Sequence, residues 1–147
     1  MQEKNEVANN MRMVLMSLRE VYFNEILNDK KHYEYRKKYC EEESIAYIYI
    51  SKTRKEIAGK IWFGKPIVGT AEEIAQIAEA DQPGNHDGIK EYIGDSVGYA
   101  IPVIKVETIN KIGLKEIKES FAEFCPPQSY YYLDNKKELM DFIGERE

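Results

Sequence analysis

A short segment in the first third of the chain concentrates positive charge. Between residues 30 and 38 it carries five lysine or arginine side chains and a single carboxylate, Glu34, in a chain whose net charge is -5. Arg36 and Lys31 together would hold one phosphate or carboxylate group, the arginine as a planar fork and the lysine as a point charge. The alternative is a solvated edge strand whose lysines prevent aggregation, with the glutamates at 41–43 neutralising part of the charge.

The alternation of aromatic and charged residues over 33–36 predicts a strand with its tyrosines on one face and Glu34 with Arg36 on the other. Glu34 would then form a fixed salt bridge with Arg36, or accept a proton or a base-edge N–H inside a pocket. Lys31 is an ordinary ammonium ligand for anions, or a catalytic base if burial removes its proton. Lys31 and Glu34 are therefore the catalytic candidates, and their role stays open at this point.

Ser17 and Arg19 form a second group of candidates. Ser17-Leu18-Arg19-Glu20 has the pattern of a capping box, so Ser17 is predicted to cap a helix rather than to act as a nucleophile. The N-terminus of a helix attracts anions, and Arg19 would strengthen that attraction.

Aromatic residues form a third group, because the bases of single-stranded RNA stack on aromatic side chains. The candidates are Tyr47, Tyr49, Trp62 and the three tyrosines at 130–132. The other interpretation is that these rings fill the core of a small domain, and Trp62 is assigned to the core.

One α+β domain is predicted to position these residues. The predicted strands are 12–16, 33–36, 45–51, 56–68, 97–107 and 128–133. Short helices are expected after Ser17, after a capping box at 70–73, and around 89–93, 114–121 and 137–143. Gly59, Gly64 and Pro66 would bend the fourth strand, as curling a small sheet requires. We therefore predict a partly closed β-barrel of five to six strands over residues 12–143, after a disordered tail at 1–11.

Composition and rare residues narrow the function classes. The chain has no long apolar run and begins with a polar stretch unlike a secretory signal. Its two cysteines lack C-x-x-C spacing and its two histidines are scattered. We therefore expect a cytoplasmic protein with free thiols, no membrane association, and no metal or cofactor.

Five motifs follow one another in a characteristic order. They are an opening of Met16–Arg19 and Lys30–Arg36, then Ile48–Ser51, Ile57–Lys60, Gly98–Ile101 and Pro126–Tyr130. In this order they resemble the ASCH domains of the PUA-like superfamily of small β-barrels, over roughly residues 12–133. Asp29 stands where a glycine is usual, and Val21 where many members have proline, so local turn geometry is expected to differ.

The resemblance implies a groove on the barrel lined by the Lys-x-x-Glu-x-Arg segment. Most ASCH proteins are described as RNA-binding or RNA-processing modules, and some as regulators of translation or transcription. The expected function is therefore binding of RNA or of a nucleotide-like small molecule. The expected binding residues are Ser17, Arg19, Lys31, Glu34, Arg36, Tyr49, Ser51, Gln128, Ser129 and Tyr130.

The family also contains enzymes, which supply the alternative hypothesis. One branch cleaves RNA, and another hydrolyses N4-acetylcytidine with a Lys-Thr-x-Thr-x-Arg segment. The matching residues here run from Lys31 to Arg36, lack both threonines and have Glu34 in place of the hydroxyl nucleophile. The resemblance therefore leaves open a ribonuclease or nucleoside hydrolase using Lys31 with Glu34 or a tyrosine, without supporting the acetylcytidine activity itself. A protein-interaction module using the acidic surface is a third hypothesis.

Overall fold

The computed structural model describes residues 11–147, so residues 1–10 of the predicted disordered tail lie outside the described residues. The described chain contains seven strands and five helices. The strands are β1 Arg12–Arg19, β2 Tyr33–Arg36, β3 Ser44–Ser51, β4 Glu56–Phe63, β5 Ile67–Gly69, β6 Gly98–Gly113 and β7 Tyr130–Tyr132. The helices are α1 Glu20–Leu27, α2 Ala71–Asp81, α3 His86–Ile93, α4 Leu114–Ser120 and α5 Lys137–Gly144.

Six strands form a curled sheet in the order β2-β6-β4-β3-β1-β7, and the short β5 pairs with β6 beside this path. All pairs are antiparallel except β1 with β3. The two ends of the path, β2 and β7, have no ladder between them within the described chain. The prediction of a partly closed α+β barrel with short helices is confirmed.

The central strand β3 is buried on both faces, and its alternation separates two parts of the core. Ala46, Ile48 and Ile50 pack inside the barrel with Phe23. Tyr47 and Tyr49 pack on the other face, against residues of α4 and α5. This explains why the sequence of β3 is almost continuously apolar or aromatic.

A third cluster packs α2 and α3 against the barrel. It joins Tyr35 of β2 and Ala100 of β6 to Ile74 and Ile93 of the two helices. The predicted capping box at the start of α2 is present, since Thr70 Oγ1 accepts from the Glu73 backbone and the Glu73 carboxylate accepts from the Thr70 N–H. This cluster fixes α2 and α3 beside β2.

Several local predictions were wrong. Trp62 is half-buried, with the ammonium groups of Lys60 and Lys105 each 4.7 Å from its ring centre, and belongs to none of the three core clusters. The strand expected over 97–107 continues to residue 113.

β1 continues to Arg19, because its parallel ladder with β3 extends to the pair Arg19 and Ser51. Ser17 is therefore not a helix cap: its hydroxyl donates to the carbonyl of Pro127 at 2.5 Å, and α1 begins without a side-chain cap. The strand expected over 56–68 is divided into two strands, β4 and β5, which pair with different parts of the long strand β6.

None of the helices in the part of the chain that the structure describes has the length and hydropathy needed to cross a membrane.

Candidate functional site

A cavity of about 650 Å³ lies between the barrel and the α2–α3 hairpin. Its volume is within the usual range for small-molecule sites. Five parts of the fold line it. They are the junction of β1 and α1, the segment from Lys31 through β2, the end of β3 at Ser51 and Lys52, the turn and helix that follow α2, and Gln128 before β7. The cavity is therefore formed by elements that are distant in the sequence.

Three charged side chains of the predicted binding segment line this cavity and are buried. The exposed fraction is 5% for Lys31, 7% for Glu34 and 9% for Arg36. Such residues are rarely buried unless they are paired. Arg36 Nε donates to Glu34 Oε2 at 2.9 Å, and Nη2 lies 2.8 Å from the same oxygen. The salt bridge considered from the sequence is thus formed.

Arg36 also connects the two open edges of the barrel. Its Nη1 donates to the Ser129 hydroxyl at 2.9 Å, beside the start of β7. Its Nη2 donates to the Ser17 carbonyl in β1, also at 2.9 Å. Because β2 and β7 are the two ends of the sheet path, these hydrogen bonds join the barrel where the backbone ladder is interrupted. Arg36 therefore has a structural role.

Lys31 differs from Arg36 in its contacts. Its Nζ lies 3.7 Å from Glu34 Oε1, and 4.5 Å and 5.4 Å from the ring centres of Tyr35 and Tyr22. Within residues 11–147 no hydrogen bond of 3.5 Å or less joins this ammonium to another side chain or to the backbone. An ammonium has three N–H donors, so Lys31 can donate to a molecule in the cavity.

The charge around the cavity is opposite in sign to that of the whole chain. Two more cations, Arg19 and Lys52, line it at the exposed rim, and Glu25 is the second carboxylate beside Glu34. Four cationic and two anionic side chains therefore surround this space, whereas the chain carries -5. A cleft with this balance attracts anions locally.

The predicted binding residues fall into two groups. Those that line the cavity are Ser17, Arg19, Lys31, Glu34, Arg36, Ser51 and Gln128. Those that do not are Tyr49, Ser129 and Tyr130. Tyr49 is packed in the core, and burial raises the pKa of its phenol. Ser129 holds Arg36, and the ring of Tyr130 packs 4.8 Å from that of Tyr39.

Several cavity residues were not identified from the sequence. Tyr22 and Tyr92 line the rim and are 44% and 46% exposed, and Gln82 and Asn85 come from the turn between α2 and α3. No pattern in the sequence connects these residues with the segment at 31–36.

His32 connects the start of β2 to the end of α2. Its Nδ1 lies 2.6 Å from Asp81 Oδ1, its Nε2 lies 2.8 Å from Asp29 Oδ1, and its backbone N–H donates to Asp81. The hydrogen bond with Asp81, and then that with Asp29, raises the pKa of His32. These contacts fasten one wall of the cavity to the other.

Comparison with known proteins supports the fold. No protein-family model matches the chain, and no curated protein matches it. Solved structures of ASCH from Zymomonas mobilis do match. The unsubstituted protein has a TM-score of 0.77 at 21% identity, covering 91% of this chain and 94% of that one. A serine-to-alanine variant gives 0.78 at 20% identity, covering 94% and 99%.

A tyrosine-to-phenylalanine variant of the same protein gives a TM-score of 0.78 at 20% identity, covering 91% of this chain and 97% of that one. The matches extend over nearly the whole of both chains. The chain therefore has the ASCH fold, and the resemblance seen in the order of its motifs is confirmed at the level of the fold.

Proposed function

We propose that this ASCH-fold protein binds a nucleotide or a segment of single-stranded RNA in the cavity beside β2. The observation that carries the proposal is Lys31, whose side chain is buried but whose ammonium reaches the cavity and donates no hydrogen bond to the described chain. Glu34 is its nearest carboxylate, and Arg36 already holds that group at 2.8–2.9 Å.

The energetics of burial support an anionic ligand. Removing an ion from water costs several kcal/mol even after the protein relaxes. Within the described chain this cost is offset by Glu34 at 3.7 Å and by the rings of Tyr35 and Tyr22, but no acceptor lies within hydrogen-bond distance of Nζ. A phosphate oxygen in the cavity would accept from Nζ, and Arg19 and Lys52 at the rim would add attraction.

The other lining residues favour a nucleotide over a small inorganic anion. A phosphate ion would fill a small part of 650 Å³. The exposed tyrosines at the rim offer faces on which bases stack, and the side-chain amides of Gln82 and Asn85 can bond to base edges. A cationic region next to aromatic and amide groups suits a ligand that carries an anionic phosphate beside a flat, hydrogen-bonding base.

Binding to RNA tests the proposal. Fluorescence anisotropy with labelled single-stranded and duplex RNA, at about 50 and 200 mM salt, measures affinity and its salt dependence. Lys31→Met should lower the affinity at least about tenfold, as loss of a charged hydrogen bond implies. Lys111→Met is the matched control, because it removes the same charge from an exposed position of β6 outside the cavity. No binding to any RNA or nucleotide, or equal effects of both substitutions, would refute the proposal.

A hydrolase acting on RNA or a modified nucleoside is the second candidate. Its supporting observation is Glu34, which lines the same cavity and whose Oε1 lies 3.7 Å from the Lys31 ammonium. A general base must reach the proton that it removes, and only this oxygen of Glu34 is not engaged by Arg36. Incubation with labelled RNA and modified nucleosides is the test. Product formation abolished by Glu34→Gln would favour catalysis, and intact substrates would favour binding alone.

We also propose that the protein acts in the cytoplasm. Cys40 and Cys125 are both free thiols, as a reducing compartment maintains them. Fractionation of cells that produce the tagged protein is the corresponding test.

A further inference from the structure

The two walls of the cavity differ in chemistry. All of the charged lining groups stand on the barrel side, together with Tyr22 and Gln128. They are the carboxylates of Glu25 and Glu34 and four cations, of which Arg19, Lys31 and Lys52, unlike Arg36, are not engaged by Glu34 at hydrogen-bond distance. On the α2–α3 side the lining groups are uncharged, with Gln82, Asn85 and Tyr92 as the polar and aromatic members. A ligand with a charged end and a neutral, flat end would match the two walls in one orientation.

The neutral wall is held in place by hydrogen bonds. The carboxylate of Glu79 in α2 accepts from the backbone N–H of Gly84 at 2.9 Å and of His86 at 3.0 Å. His86 Nε2 in turn lies 2.9 Å from Glu72 of α2. The turn that presents the amides is therefore fixed to α2, and a preorganised wall of this kind can discriminate between ligands.

The two amides leave groups available to a ligand. Asn85 Nδ2 donates to Gln82 Oε1 at 3.2 Å. The Gln82 amide N–H donors and the Asn85 carbonyl acceptor have no hydrogen bond to another residue that the structure describes, and both residues line the cavity. Amide donors and acceptors of Asn and Gln are the groups that bond to nucleobase edges.

Tyr92 completes this wall with an aromatic face. Its side chain is 46% exposed, and Lys37 Nζ lies 5.2 Å from its ring centre. Stacking of a base on an exposed ring contributes about 1–3 kcal/mol, largely independent of base identity. Tyr92 would therefore supply affinity for any base, whereas the amides would supply preference among bases.

We propose, on the basis of the function proposed above, that the cavity binds one nucleotide unit in a fixed orientation. Its phosphate lies at the wall of Arg19, Lys31 and Lys52. Its base stacks on Tyr92 and is read by Gln82 and Asn85, which are the specificity-determining residues. The ligand is thus a free nucleotide or an unpaired nucleotide of a strand, because a paired base has its edge occupied.

Titration calorimetry with the four nucleoside 5′-monophosphates and with ribose 5-phosphate tests the orientation. Tyr92→Ala should weaken all four nucleotides by about fivefold to 150-fold, leave ribose 5-phosphate unchanged, and be rescued by Tyr92→Phe. Gln82→Ala should change the ranking of the bases with little effect on ribose 5-phosphate. Lys52→Ala should weaken every phosphorylated ligand, with the base ranking unchanged.

Failure of this inference differs from failure of the proposed function. If nucleotides bind and Lys31→Met weakens them, but Tyr92→Ala and Gln82→Ala alter neither affinity nor base ranking, the orientation is refuted and the binding site stands. If neither the nucleotides nor ribose 5-phosphate bind, both are refuted.

Discussion

Lys31 and Arg36 line the same cavity, but their replacement by methionine should have different consequences: loss of stability for Arg36, and loss of RNA affinity for Lys31. Arg36→Met removes two contacts with Glu34 and the hydrogen bonds to Ser129 and Ser17. Glu34 would then remain buried with only the ammonium at 3.7 Å. Breaking a buried pair in this way costs about 3–5 kcal/mol, a large fraction of the roughly 5–15 kcal/mol that stabilises a domain.

Lys31→Met removes no hydrogen bond within the described chain and leaves Glu34 paired with Arg36. The methionine has a similar length, and its thioether can pack against the nearby rings of Tyr22 and Tyr35. The lost ion pair and the avoided cost of burying a charge oppose each other. We therefore expect the free energy of unfolding to change by less than about 1 kcal/mol, while affinity for RNA falls at least about tenfold.

Urea unfolding measures the stability of both variants, with the fluorescence of Trp62, the single tryptophan, as one probe and circular dichroism as the other. Equal m-values would show that the same surface is exposed on unfolding. If Lys31→Met lost as much stability as Arg36→Met, the ammonium would be a structural group and its assignment to a ligand would be refuted.

Two further predictions concern stability. Gly59→Ala should lower the free energy of unfolding by about 1–3 kcal/mol, because the added Cβ would overlap the buried ring of Phe23. Thermal unfolding measures this loss against the control Gly113→Ala, whose added Cβ meets nothing within 4 Å. Equal effects of the two substitutions would contradict the prediction. The hydrogen bonds of His32 raise its pKa in the folded protein, Asp81 contributing most and Asp29 next. Protonated His32 therefore stabilises the folded state fully below its pKa in the unfolded chain, about 6.5, and this stabilisation is lost as the pH rises through its pKa in the folded state. The Tm difference between the native protein and His32→Gln should thus be larger at about pH 6 than at about pH 9, and a pH-independent difference would disprove the contribution.

Local patterns predicted much of the fold, and contacts distant in sequence account for the errors. The alternation in β2 correctly placed Glu34 and Arg36 on one face, since a strand has a period of two wherever it lies. The Thr70 capping box was also predicted correctly, because it depends only on hydrogen bonds between two residues that are three apart in the sequence. Ser17 has an equivalent pattern, but the ladder with β3 keeps it extended.

The cavity was predicted only on its barrel side. Lys31, Glu34 and Arg36 lie within six residues of one another, so one segment indicated them. Tyr92 and the turn between α2 and α3 face them only because α2 packs on β2 through a cluster that joins Tyr35 to Ile74. No local pattern reports a contact between residues so far apart, and an exposed tyrosine on a helix is not by itself informative.

The location of bound RNA tests the central claim most directly. A single-stranded oligonucleotide containing a photoreactive base analogue, cross-linked to the native protein and mapped by mass spectrometry, reports which side chains touch the base. We expect cross-links in α1 and α3, at Tyr22 and Tyr92, competed by free nucleotide and reduced by Lys31→Met. Cross-links confined to residues outside the cavity, around Trp62 or between α4 and α5, and unaffected by Lys31→Met, would contradict the account.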